Sequence, residues 1–246
     1  MLTKAQNKYI RSLTQQKFRN EYKVFIAEGE KIANEWLSAD TKINMIVATG
    51  DWGQEHGALL SKHPEATVCM VQQSELESIS GLHTPNRVLL VIPIPEQKEV
   101  PFLNEWYLVL DEIQDPGNMG TIIRIADWFG IKHILCQKGC VEIYNPKVVQ
   151  SAMGGHLRVN IYETEAIEFL KNTRLPKFAA TLDGKNVYEA GRHEAGVLII
   201  GNESKGISEK VVSFADQRIT IPRRGGAESL NAGVSAGILC ALLLPC

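Results

Sequence analysis

Between residues 21 and 92, short apolar runs alternate with amphipathic ones. Residues 23–27 (Lys-Val-Phe-Ile-Ala) read as a strand, and residues 28–38 place Ile32, Ala33, Trp36 and Leu37 on one face of a helix. Residues 42–48 and 66–71 read as further strands. Ser74-Glu-Leu-Glu77 has the form of a capping box opening a short helix, and residues 88–92 form a last strand. The pattern then breaks at Pro93-Ile-Pro-Glu-Gln-Lys-Glu-Val-Pro101, three prolines in nine residues with charges between them. Such a stretch stays extended and joins rather than packs. It divides the chain into a front domain, 1–92, a linker, 93–105, and a second domain, 106–246.

After the linker the alternation strengthens. Strands are expected at 106–111, 131–136, 177–182, 197–201 and 217–221. Helices are expected at 120–129, at 146–153 with proline in the first turn, and at 228–244. The last is rich in small residues (Ala232, Gly233, Ser235, Ala236, Gly237, Ala241), so it suits close packing on most sides. Repeated βα units imply an α/β fold with a parallel sheet covered on both faces.

Three polar, glycine-bearing segments follow apolar strand-like runs: Asn118-Met-Gly-Thr-Ile-Ile-Arg124, Gly201-Asn-Glu-Ser-Lys-Gly206 and Glu228-Ser-Leu-Asn-Ala-Gly233. In open parallel sheets ligands bind beyond the carboxyl ends of the strands, so the three suggest one crevice. A helix N-terminus with Asn118 and Arg124 can hold an anion such as an RNA phosphate. Taken singly, each segment equally describes a capped helix or a solvated loop. No Gly-Lys-Ser/Thr follows the 201–206 spacing and no Gly-x-Gly-x-x-Gly occurs, which disfavours a P-loop or a dinucleotide fingerprint.

Composition refines this only locally. The 246 residues carry a net charge of -2 and are 44% hydrophobic, enough for a substantial core and no polycation. Residues 1–20 nevertheless hold Lys4, Lys8, Arg11, Lys17 and Arg19 without an acid, an arm suited either to phosphate or to plain solvation. Five cysteines without CxxC spacing read as reduced thiols of a cytoplasmic protein rather than metal ligands, and no metal is expected. No signal peptide is evident, and the apolar tail at 236–244 is too short to span a bilayer.

Jointly, the three segments resemble the signature motifs of the SpoU/TrmH family of RNA ribose 2′-O-methyltransferases, of the SPOUT superfamily. The resemblance covers about 107–244. Phe25-Ile-Ala-Glu-Gly29 with Lys31, and Thr84-Pro85, are similar to the family's small L30/L7Ae-like RNA-binding domain, on the ribosomal-RNA branch. The resemblance implies a trefoil-knotted α/β methyltransferase domain, S-adenosylmethionine as cofactor, structured RNA as partner and a homodimer formed through the knotted domain. It implies catalytic roles for Arg124, Asn118, Glu203, Ser229 and Asn231. Cofactor contacts would come from Thr181, Leu182, Gly201, Asn202, Ile221, Leu230 and Asn231. RNA contacts would come from Lys4, Lys8, Arg11, Lys17, Arg19, Lys31 and Arg223. Asn118 would orient Arg124 or the ribose. Departures occur at Ser204, where glycine is common, at Arg223, where an apolar residue is usual, and at Asn86-Arg87. The alternative is a non-catalytic RNA-binding or ribosome-assembly protein that keeps the fold.

Overall fold

The computed structural model describes residues 1–82, 84 and 86–245. Pro85 of the Thr84-Pro85 pair, and Cys246, lie outside them. The chain divides into two compact units, Met1–Glu96 with Tyr144–Leu157, and Gln97–Ile143 with Arg158–Cys246.

The first unit begins with α1 (Lys4–Ser12) and α2 (Gln16–Tyr22), then β1 (Val24–Glu28), α3 (Glu30–Ser38), β2 (Met45–Thr49), α4 (Gly50–Glu55), α5 (Gly57–Leu60), β3 (Thr67–Val71), α6 (Gln73–Ile79) and β4 (Val88–Pro93). Its sheet runs β1-β4-β2-β3. The pairings of β4 are antiparallel and that of β2 with β3 is parallel, so this unit is mixed. The expected face of α3 is the buried one, Ile32, Ala33, Trp36 and Leu37. Glu28 closes β1 instead of opening the helix, because Gly29 turns the chain at φ 102°, a conformation side chains rarely adopt. The capping box forms two residues earlier than expected, Gln72 with Glu75.

The second unit contains β5 (Trp106–Asp111), α7 (Pro116–Trp128) and β6 (His133–Cys136); the chain then lends α8 (Pro146–Ala152) to the first unit. There Val149 joins the core of Phe25 and Trp36, and the Tyr144 ring stacks on Phe25. The second unit resumes with β7 (Asn160–Glu163), α9 (Ala166–Asn172), β8 (Lys177–Asn186), β9 (Gly196–Gly201), α10 (Glu209–Val212), β10 (Gln217–Thr220) and α11 (Ala232–Leu243). All six strands are parallel, in the order β10-β8-β9-β5-β6-β7. Central β5 and β9 are the continuous apolar runs that a doubly covered sheet requires. Their register, Asp111 opposite Gly201, brings the ends leading into two of the three segments side by side.

Candidate functional site

Each segment is locally determined. Helix α7 starts at Pro116, earlier than the 120 expected, because Asp115 accepts the Asn118 amide N–H at 2.7 Å and proline suits the first turn. Asn118 therefore lies inside the helix rather than ahead of it. Helix α11 starts later than expected, at Ala232. Asn231 is its cap, its Oδ1 accepting from Gly233 N at 3.0 Å and Val234 N at 3.2 Å. Between β9 and α10, Asn202 and Gly206 exchange backbone hydrogen bonds of 3.0 and 2.9 Å. A Cβ on Gly201 would stand 2.4 Å from the Gly206 backbone, so that position admits glycine alone.

The three segments meet at Asn118. Its side chain is buried, donates through Nδ2 to Glu203 Oε1, and accepts at 2.6 Å from Asn231 Nδ2. One amide thus ties α7, the 201–206 turn and the α11 cap. Both ends of that amide are occupied by Glu203 and Asn231, which is a different role from orienting Arg124. Arg124 lies six residues, nearly two turns, further along α7, exposed, with Trp128 one turn beyond it and 84% exposed.

Asn202, expected to touch the cofactor, spends its side chain on the fold. Its Oδ1 accepts from Ser204 N at 2.9 Å and Lys205 N at 3.1 Å, and Nδ2 donates to the Glu112 carbonyl at 2.9 Å. Its backbone is paired with Gly206 as well, so Asn202 shapes the cavity wall. Glu112 itself adopts φ 54° and pairs with Lys205 at 3.2 Å. Beside it Asp111, 2% exposed, accepts Ser208 N at 2.7 Å and fixes the start of α10. Sequence reasoning missed this latch between the β5–α7 and β9–α10 loops; the acid pair at the end of an apolar strand was its one visible sign.

Next to the hub opens a cavity of about 710 Å³, bounded by the ends of β8, β9 and β10, the 221–230 loop and α11. Thr181, Leu182, Gly201, Asn202, Glu203, Ile221, Arg223, Ser229 and Leu230 all line it, as do Ser235 and Leu239 of α11. Asn118, Arg124 and Asn231 do not. Its size is that of small-molecule sites, and its apolar walls with a few polar edges match their usual character. Arg218 pairs with Asp183 at 3.4 Å on the rim. Arg223 donates to the Ala227 carbonyl at 3.2 Å and closes the loop on itself.

Four of the five basic residues of the arm stand in solvent and one does not. Lys4, Lys8 and Arg11 recur along α1 at helical spacing and stand in solvent, and Lys17 and Lys31 are exposed. Arg19 is a correction: it is 1% exposed and donates to the Leu13 carbonyl at 2.7 Å, so its guanidinium holds the α1–α2 turn and is not available to RNA.

Known proteins agree with this geometry. Residues 105–241 match the SpoU rRNA Methylase family, and residues 4–90 match the MRM3-like substrate binding domain. The chain is 27% identical to the 23S rRNA (guanosine(2553)-2′-O)-methyltransferase RlmP of Bacillus subtilis, over 93% of this chain and 92% of that protein. A structure assigned to the TrmH family of RNA methyltransferases, from Porphyromonas gingivalis, superposes with a TM-score of 0.86 at 34% identity, covering 99% of this chain and 98% of that one. An AdoMet-bound rRNA methyltransferase from Sinorhizobium meliloti does so at 0.87 with 27% identity, covering 98% and 94%. With its three segments tied together at Asn118 beside one cavity and a family match across more than half its length, the chain belongs to the SpoU rRNA methylase family.

Proposed function

We propose that the protein transfers a methyl group from S-adenosylmethionine to a ribose 2′-hydroxyl of ribosomal RNA. The observation that carries this is the cavity joined, through Asn118, to an exposed arginine on α7. The residues present fit the cofactor: Gly201 cannot carry a side chain without striking Gly206, so backbone lines the cavity where an adenine needs amide partners. Thr181, Leu182, Gly201, Ile221 and Leu230 would hold it, with Asn202 shaping the wall beside them. Bound there, it supplies a methyl already activated by its sulfonium, so no metal is required.

The protein's task is then to place the 2′-hydroxyl and accommodate the charge that develops on its oxygen. Arg124 does this by binding the adjacent phosphate and the developing alkoxide. A guanidinium keeps its proton and is a poor base, so a phosphate oxygen or another group takes the proton. Glu203, fixed by Asn118, and Ser229 shape the cavity floor.

The first unit serves as the RNA substrate-binding domain, with Lys4, Lys8, Arg11, Lys17 and Lys31 toward phosphates, and the second is the methyltransferase domain. A homodimer forms through α7 and α11, whose exposed Trp128 and Val234 leave apolar area in solvent, and Arg124 shares that surface. The second unit carries the family's trefoil knot, and the protein acts in the cytoplasm. No helix among the described residues is long and apolar enough to cross a membrane.

The test is methylation of ribosomal RNA with radiolabelled S-adenosylmethionine. Wild type is expected to label a ribose 2′-oxygen. Arg124→Ala is expected to abolish labelling with cofactor affinity unchanged within a few-fold. Residual turnover at saturating cofactor, with only binding lost, would refute the role given to Arg124. Failure of the wild type to bind the cofactor by calorimetry would return the non-catalytic reading.

A further inference from the structure

Two thiols outside the proposed mechanism lie at the carboxyl end of β6 and in the turn that follows it. Cys136 is the last residue of β6 and is buried, and Cys140 follows after a tight turn in which Cys140 N donates to the Gln137 carbonyl at 3.2 Å. Cys140 Sγ donates to the Leu110 carbonyl at 3.4 Å, the same oxygen that accepts Gln137 N at 2.8 Å. Leu110 is the register partner of Cys136 on β5, so a Cys140 side chain that reaches Leu110 is folded back against the end of β6.

This turn leans on the β5–α7 loop. Val141 N donates to the Ile113 carbonyl at 2.8 Å, and a Cβ on Gly139 would stand 3.1 Å from Glu112 Cγ. Glu112 is the residue whose carbonyl receives Asn202 and whose carboxylate receives Lys205. A path of one backbone hydrogen bond, the close approach of Gly139 to the Glu112 side chain and the Asn202 side-chain bond to the Glu112 carbonyl therefore runs from this turn to the cavity wall.

We propose that Cys136 and Cys140 form a reversible disulfide under peroxide, and that closing it loosens the Glu112–Asn202 latch and weakens cofactor binding. The site is built for the chemistry. Cys140 is the partly exposed member, and its thiol is more acidic than usual because Cys136 donates to it. The same bond, reinforced by burial, keeps Cys136 protonated. The Cys140 thiolate attacks one peroxide oxygen, giving a sulfenic acid and releasing hydroxide. The Cys136 sulfur then attacks the sulfenic sulfur, the S–O bond breaks, and the departing hydroxide leaves with the Cys136 proton as water. Two thiols and one hydrogen peroxide yield one disulfide and two waters, a two-electron oxidation. The Leu110 carbonyl loses its S–H partner in the product, which frees the turn to move against Glu112. The dependence on cofactor binding rests on the function proposed above; the disulfide itself does not.

Trypsin cuts at Lys138, between the two cysteines, so the bridged form appears as peptides 133–138 and 139–147 joined at a mass two hydrogens below their sum. The full-length protein, treated with hydrogen peroxide, is expected to give this linked pair. Its calorimetric affinity for S-adenosylmethionine should fall about fivefold or more, the lower range of such couplings, and return with dithiothreitol. Cys140→Ser and, as a second variant, Cys136→Ala should keep their affinity through the same treatment. Hydrogen exchange at the 202 and 206 amides should quicken on oxidation, an outcome independent of whether the cofactor reading holds. Absence of the linked peptides, or a bridge that changes neither exchange nor affinity, would overturn the proposal. If the reduced protein fails to bind cofactor, the functional reading fails, and the peptide map with the exchange data still decides the switch.

Discussion

The Asn118 side chain offers the sharpest test of the site. Replacing it by alanine removes two hydrogen bonds at once, one to the Glu203 carboxylate and one from Asn231. A bond to a charged group contributes about 1.5–3 kcal/mol and a neutral one about 0.5–1.5 kcal/mol. Asn118 is buried but Asn231 stands in solvent, so the second bond counts at the low end. The expected loss is on the order of 2–3 kcal/mol. In a protein of this size each 1 kcal/mol lowers Tm by roughly 2–4 °C, which puts the fall at about 4–12 °C. Scanning calorimetry of wild type, Asn118→Ala, Glu203→Ala and the double variant isolates the pair, because only directly interacting residues depart from additivity. We expect a coupling of about 1.5 kcal/mol, with the double variant little worse than the worse single one. Additivity within about 0.5 kcal/mol would refute the reasoning, since Glu203 would then be held by something other than Asn118.

Other perturbations separate the roles assigned here. Gly201→Ala drives a Cβ into the Gly206 backbone, and calorimetric titration should find cofactor binding lost along with about 1–3 kcal/mol of stability. Lys4→Ala, Lys8→Ala and Arg11→Ala combined should weaken RNA binding and flatten its dependence on salt by about two to three in log–log slope. Arg19→Ala should instead lower thermal stability and leave that slope unchanged, because its guanidinium is spent on Leu13. Acid should act through His133, whose imidazole burial holds below the ordinary value, aided by Lys132 and opposed by Glu105. The unfolded chain then takes up the proton first, so stability present above about pH 6.5 is lost as pH falls through that value toward the lower folded pKa. Denaturant titrations between pH 7 and pH 5 should show a shallower decline for His133→Gln than for wild type.

How far the sequence discloses this molecule depends on what each residue's role requires. Runs such as 106–111 and 197–201 are legible because a doubly covered strand must be apolar throughout. The face of α3 is legible because helical spacing sorts its four core residues. The α11 start was misplaced because Glu228, Ser229 and Asn231 are all plausible in a first turn, and only the bond from Asn231 Oδ1 to Gly233 and Val234 decides among them. The loan of α8 to the first unit leaves no trace in composition: its contacts with Phe25 and Trp36 are made across more than a hundred residues of chain. Arg19 was misassigned for a related reason. A basic side chain within a basic arm looks solvated until a turn carbonyl is found within its reach.

The division of labour at the site follows from the same distinction. Side chains that the resemblance offers as one catalytic set fall into two groups once their partners are known. Asn118 and Asn231, joined by Asn202 from the expected cofactor contacts, spend their amides on one another, on Glu203 and on backbone, so they determine where the cavity is. Glu203 and Ser229 face the cavity, and Arg124 meets solvent beyond it, so they are the groups still able to meet a ligand. Substitutions in the first group should therefore lower stability and cofactor binding together, whereas Arg124→Ala should leave both intact and stop methyl transfer. A protein kept only for its fold would need the asparagines and not the arginine, and that asymmetry makes Arg124 the residue on which the enzymatic reading stands.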